Sequence, residues 1–281
     1  MKLTNILKKE YETISSETIF ELTKNQSPNI QKIFSLWEKT YHKYKDFIPP
    51  MKEDASLYKR IYEEIVENQK DIHYSPEDIT QVSIFLKKYE RENIFSTAGS
   101  LLSALVNYHR LRHIVHYQKI DYETDLSEQK NEYQLITEHL EVGIMHIGMK
   151  NHAKIKIIGD VGGNQFNTGT AMKGGEIYIL GNCINHLGFA MKNGNIIVEK
   201  DVIDGSVGTF MLGGIIEIKG THFGNDVGHT MRGGKIIIHG MVKGIVGNDM
   251  TGGEIYINDE TTHISRQRKG GKIYCNGRRV S

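Results

Sequence analysis

The residues of this sequence best suited to chemistry crowd onto one turn. His222-Phe223-Gly224-Asn225-Asp226-Val227-Gly228-His229 sets two imidazoles and a carboxylate within eight positions. An imidazole titrates near neutral pH and a neighbouring carboxylate can orient it. His222, Asp226 and His229 are therefore the candidates for acid–base work or for holding a metal. His186 and the pair Asp204-Gly205 lie in neighbouring turns and would stack above or below them. Asn, Asp and Gly also gather at turns for backbone reasons alone, which accounts for the same composition without chemistry.

Two other patterns carry charge or ligating groups. His109, His113 and His116 fall at i, i+4 and i+7, one face of a helix, a spacing compatible with zinc. Arg110 and Arg112 sit alongside, no carboxylate lies within the run, and Ile114-Val115 reads as a change towards strand. A solvated basic segment is the expectation, with no metal and no cofactor. The second pattern is a basic stripe. Lys173, Lys192, Arg232 and Lys269 each occupy one fixed position of a repeat whose other copies there hold Leu212 and Thr251. Stacked about 4.8 Å apart or a multiple of it, they would face an acidic partner or polyanionic ligand, or simply solvate a corner.

The repeat itself positions all these groups. Its copies read Gly169-x-x-Met172-x-x-Gly175, Gly188-x-x-Met191-x-x-Gly194, Gly208-x-x-Met211-x-x-Gly214, Gly228-x-x-Met231-x-x-Gly234 and Gly247-x-x-Met250-x-x-Gly253. The Met residues advance in steps of 19, 20, 20 and 19, and each copy is followed by an Ile-rich alternating run such as Glu176-Ile177-Tyr178-Ile179. Alternation of period 2 marks strands. Strands this close in sequence leave no room for a crossover helix, so the chain must wind, each strand pairing with its equivalent in the next coil. The Met column is expected to fill a narrow core. The Gly pair is expected at a sharp corner, with Asn193 marking a left-handed position. Lys154–Gly159 reads as an entering strand and Arg268–Cys275 as a leaving one. Arg268 at the Met position implies a core open to solvent at that end, and Arg278-Arg279 would deter end-to-end pairing. About seven coils between roughly 150 and 277 result.

The repeated Gly-x-x-Met-x-Gly-Gly-x-Ile-x-Ile, with a further Gly shortly before it (Gly205 before Gly208, Gly224 before Gly228, Gly244 before Gly247), resembles the GXGXG repeat domain. That domain forms the C-terminal part of the glutamate synthase large chain and a whole component chain of formylmethanofuran dehydrogenase. The resemblance covers about residues 148–277. It implies a right-handed parallel β-helix that braces or docks against catalytic partners and contributes no catalytic residue of its own. The sequence departs from those relatives: it has no nucleophilic Cys after Met1, no Cys cluster for an iron–sulfur centre and no flavin barrel.

The two halves differ sharply. Residues 1–140 hold one Gly and all four Pro, and residues 141–281 hold the other 28 Gly, which sets the division into two regions at about 140. The first half has helical spacing at Ile30, Ile33, Phe34, Trp37, Tyr41 and Tyr44, at Leu57, Tyr58, Ile61, Tyr62 and Ile65, and at Ala98, Leu101, Leu102, Leu105 and Tyr108. Ser75-Pro76-Glu77-Asp78 has the form of a helix start, Pro49-Pro50 is a break, and 121–139 reads as an acidic connector. The expected fold class is therefore α+β, a helical region followed by a parallel solenoid.

Formal net charge is +1 at pH 7, far from the basic excess of a nucleic-acid binder. No run of about 18 apolar residues is present, so no membrane span is expected. The start of the chain is polar, without the apolar stretch of a signal peptide, and the two Cys lack metal-type spacing, so a cytoplasmic protein is expected. The functional expectation is a non-catalytic scaffold that docks protein subunits of an oxidoreductase-type complex, a homo-oligomer being compatible. The alternatives are a module binding an acidic ligand along the stripe, and a subunit with its own chemistry at the His222–His229 turn.

Overall fold

The computed structural model describes residues 27–45, 55–118, 132–141, 143–163, 168–259 and 263–280. Pro49-Pro50 and residues 121–131 of the acidic connector lie outside them. Four α-helices among the described residues precede a parallel β-solenoid of about seven turns, so the α+β expectation holds.

The helices are α1 (Pro28–Tyr44), α2 (Ala55–Asn68), α3 (Pro76–Phe85) and α4 (Ala98–Gln118). Ser75 caps α3 as its sequence predicts: its hydroxyl accepts from Asp78 N and the Asp78 carboxylate accepts from Ser75 N, satisfying two otherwise orphaned donors. The aromatic stripe of α1 is core. Trp37 is fully buried and its indole N–H donates to Thr97 Oγ1 at 2.8 Å. Helix α4 runs unbroken through Ile114-Val115, where the sequence suggested strand.

The solenoid has three faces. Its long sheet contains β1 (Glu132–Ile136), β2 (Lys154–Ile158), β3 (Glu176–Ile179), β4 (Asn195–Val198), β5 (Ile215–Ile218), β6 (Lys235–Ile238), β7 (Glu254–Ile257), β8 (Lys272–Cys275) and β9 (Arg278–Arg279). Neighbours from β1 to β8 pair in parallel and in register, and β9 turns back antiparallel on β8. Two narrower faces are built from two-residue strands, Val161–Gly162, Cys183–Ile184 and Val202–Ile203 on one, and Ser206–Val207, Asp226–Val227, Ile245–Val246 and His263–Ile264 on the other. In each long strand the second and fourth residues are buried, as in Ile236 and Ile238, which explains the Ile alternation. Each buried Ile contributes roughly 1.5–3 kcal/mol of transfer free energy.

Met172, Met191, Met211, Met231 and Met250 are fully buried, in one stacked column. Each reaches the coil above: a Cβ on Gly234 would stand 2.7 Å from Met211 Cε, and one on Gly253 would stand 2.6 Å from Met231 Cε. The second Gly of each pair thus leaves the notch that the Met methyl of the coil below occupies. That second Gly also has positive φ, +87° at Gly234. The first Gly of the pair does not, and neither does Asn193, so the left-handed reading of Asn193 is corrected. At Gly233 the constraint is stacking: a Cβ there would stand 2.4 Å from the Leu212 carbonyl oxygen of the coil below.

The solenoid begins earlier than the sequence suggests. Glu132–Ile136, read as acidic connector, is the first strand of the long sheet, with Tyr133 and Leu135 inside. Its open edge is covered by α3: Thr80 Oγ1 donates to the Gln134 carbonyl at 2.7 Å and Ile136 N donates to Ser83 Oγ at 2.9 Å. Helix α4 seals the end of the first coil with Gly99, Ser103 and Asn107, spaced four apart on one face. Gly99 lies against the Met145 carbonyl. Ser103 Oγ accepts from Gly148 N at 3.0 Å and donates to the His146 carbonyl at 3.1 Å, and Asn107 Nδ2 donates to the Met149 carbonyl at 3.1 Å. One hydrophobic core runs from the helices into the solenoid. At the far end Arg268 is half-buried, and its guanidinium donates to the carbonyls of Gly270 and Gly271 at 3.3 and 3.0 Å.

Candidate functional site

His222 occupies the narrow face between Val202 below and Val242 above, joined to both by single bridges. Its ring is fully buried, and neither nitrogen makes a hydrogen bond of good geometry. Burial drives its pKa down to about 4, opposed in part by the backbone of Gly205 and the charge of Asp204. Asp226 lies on the third face, pairing with Ser206 and Ile245, half-exposed while its neighbour Val227 is buried. His229 sits past the next corner, where its Nδ1 meets Asn248 Nδ2 at 3.2 Å. The turn therefore sends its three groups to three places: His222 into the core, Asp226 outward from a strand, His229 to the corner. His186 serves the backbone, its Nδ1 accepting from Ser206 N at 3.0 Å, and Asp204 accepts from its neighbour Gly205 N at 2.7 Å.

A buried neutral imidazole has a defined effect on acid stability. The unfolded chain protonates His222 near its ordinary value of 6.5 and the folded chain only near 4, so the unfolded state binds more protons between those values. Stability is full above pH 6.5 and is lost as pH falls towards 4. We expect His222→Val, which matches Val202 and Val242 in the same column, to leave the fold intact and flatten this loss in urea melts followed from pH 7 to pH 4. A slope unchanged by the substitution would place the titration elsewhere, with His146 the first alternative. That residue is also driven down to about 4 by burial, against the Tyr58 ring at 4.0 Å.

His109 is buried at the junction of helices and solenoid, its Nδ1 2.9 Å from the Tyr133 hydroxyl. The side chains of His113 and His116 lie outside the described residues. Among the described residues no group of three or more His, Cys, Asp or Glu is placed to share a metal ion. Cys183 and Cys275 are free and buried, and burial pushes the Cys183 thiol up to about 12, far from a nucleophile's range. No helix of the described residues is long and apolar enough to cross a membrane.

The basic stripe exists as a physical column. Lys192 N donates to the Met172 carbonyl, Leu212 N to Met191, Arg232 N to Met211, Thr251 N to Met231 and Lys269 N to Met250, each at 2.8 Å. Lys173, Lys192, Leu212, Arg232, Thr251 and Lys269 thus project from successive levels of one corner, all exposed. Lys269 is held by Asp249 at 3.1 Å. Lys173, Lys192 and Arg232 make no ion pair among the described residues.

One feature of the corner has no signature in the sequence. The residue before each Met is left-handed although none is Gly: Ala171, Ala190, Phe210, Thr230 and Asp249 have φ between 51° and 57°. The residue type varies, so no column announces it. Comparison with protein-family models, with curated proteins and with solved structures gives no significant match.

Proposed function

We propose that this chain is a non-catalytic docking scaffold, a subunit or domain that holds protein partners in a multi-subunit assembly. One observation carries the reading: every fixed position of the repeat is consumed by architecture. The Met residues fill the core, the Gly residues admit the neighbouring coil, and the His222–His229 turn sends its side chains to the core, a strand surface and a corner. The likeness of the repeat to the GXGXG domain suggests the kind of assembly, an oxidoreductase of the glutamate synthase or formylmethanofuran dehydrogenase type, with the chemistry on the partner.

The test is isolation of the tagged full chain at native abundance. The expected result is a stoichiometric complex that survives size-exclusion chromatography and contains a protein with a bound redox cofactor. A chain that elutes alone at its own mass of 32.0 kDa from the same extract defeats the proposal. The exposed column of Lys173, Lys192, Arg232 and Lys269 favours a second reading, a module for a polyanionic ligand.

A further inference from the structure

The basic column is interrupted, and the interruption is apolar. Leu212 lies directly between Lys192 and Arg232 in the stack, since Leu212 N donates to Met191 and Arg232 N to Met211. Leu212 is 46% exposed, and beside it in the same coil Phe210 is 40% and Ile215 is 40% exposed. Ile215 in turn pairs with Asn195 below and Lys235 above. Phe210 packs edge-on against Phe189 at 5.5 Å and against His229 at 6.2 Å, which extends the apolar surface along the corner. Three large exposed apolar side chains thus share one coil, with Lys192 below and Arg232 above Leu212 and Lys235 above Ile215.

Phe210 is also not called for by its backbone conformation. The same left-handed backbone recurs before Met172, Met191, Met231 and Met250, where Ala, Thr or Asp fills it. A bulky residue with positive φ is unfavourable, so the folded state has no backbone reason to prefer Phe. The carboxylate nearest along the chain, Glu217, accepts from Lys219 and from His239 and leaves the flanking cations unmatched.

We infer that the corner formed by Phe210, Leu212 and Ile215 between Lys192 and Arg232 is the docking surface for an acidic protein segment bearing an apolar anchor. The inference rests on the scaffold reading and names the partner's chemistry. The charge pattern decides the occupant. A polyanion gains nothing from three apolar groups in the middle of its track, whereas a peptide with a Leu or Phe among Asp and Glu satisfies both parts. A second copy of this chain would bring Lys192 and Arg232 towards like charges.

The test uses the full chain and three labelled peptides in fluorescence anisotropy. The first has a central Phe among Asp and Glu, the second replaces Phe by Gly, and the third replaces the acidic residues by Lys. The first peptide is expected to bind, more weakly as salt rises, and to bind about tenfold or more weakly to Leu212→Asp and to the Lys192→Glu/Arg232→Glu pair. Equal binding of the Phe and Gly peptides makes the corner a polyanion track and overturns the inference. So does binding indifferent to Leu212→Asp, preference for the Lys peptide, or no binding by the Phe peptide. Self-association of the wild type that Leu212→Asp abolishes overturns it in favour of a second copy. All three substituted positions are exposed, so the variants should keep the wild-type circular dichroism. A complex isolated from the native source that survives in Leu212→Asp refutes this surface while leaving the scaffold reading intact.

Discussion

Gly234→Ala should lower unfolding stability by about 4 kcal/mol. Two independent terms produce it. The backbone at Gly234 has φ of +87°, where a Cβ is strained whatever the space. The added carbon would also stand 2.7 Å from Met211 Cε and 2.8 Å from the Gly214 carbonyl oxygen. The Met methyl can move but the carbonyl cannot, because it accepts from Lys235 N at 2.9 Å. Met211→Ala by itself should cost about 2–5 kcal/mol through the cavity it leaves in a closed core. The double variant separates the terms. Removing Met211 relieves the side-chain overlap but neither the carbonyl contact nor the φ strain, so the combined loss should fall short of the sum by about 1 kcal/mol or more. Chemical denaturation of the four proteins gives the coupling directly. Strict additivity would show that Met and Gly of adjacent coils are independent, contrary to the geometry.

Gly99→Ala is expected to cost about 2 kcal/mol net. In an exposed helix the same change would be stabilising by about 1 kcal/mol through helix propensity. Here the added carbon would overlap the Met145 carbonyl oxygen, and the adjoining His146 carbonyl is fixed by Ser103. Helix α4 must lift off the first coil. Limited proteolysis should therefore cut the variant between α4 and β1 faster than wild type, while the strand signal in circular dichroism is retained. Stabilisation by this substitution would mean that α4 does not bear on the solenoid.

These two glycines show what the sequence discloses and what it hides. Gly234 belongs to a column visible in every copy, and the winding, the strand faces and the buried Met residues all follow from that column. Its partnership with the Met of the preceding coil is invisible, because Met211 and Gly234 stand 23 positions apart and no local pattern joins them. Gly99 stands alone, yet with Ser103 and Asn107 it forms a stripe of small and polar residues on a helix, a sign that something packs closely there. The apolar face through Leu101, Leu102 and Leu105 is stronger and masks it. Strand β1 was hidden by its acidic flank and missing Gly motif, although Tyr133 and Leu135 alternate as an inward pair should. At the His222–His229 turn the residue types were legible but their directions were not. A one-residue difference in pleat decides between core and solvent, and only the register with Val202 and Val242 fixes it.

The two ends of the long sheet are protected in different ways. Helix α3 occupies the edge of β1, α4 seals the first coil, and β9, with two exposed arginines, pairs antiparallel along β8. Among the described residues the far edge of the long sheet is the two-residue β9, and its shortness and two exposed arginines disfavour extension by another chain. Eight parallel strands at about 4.8 Å per step place the first and last roughly 34 Å apart. The solenoid is a stiff rod of set span, and any two bodies bound near its opposite ends are held at a distance written in the number of repeats.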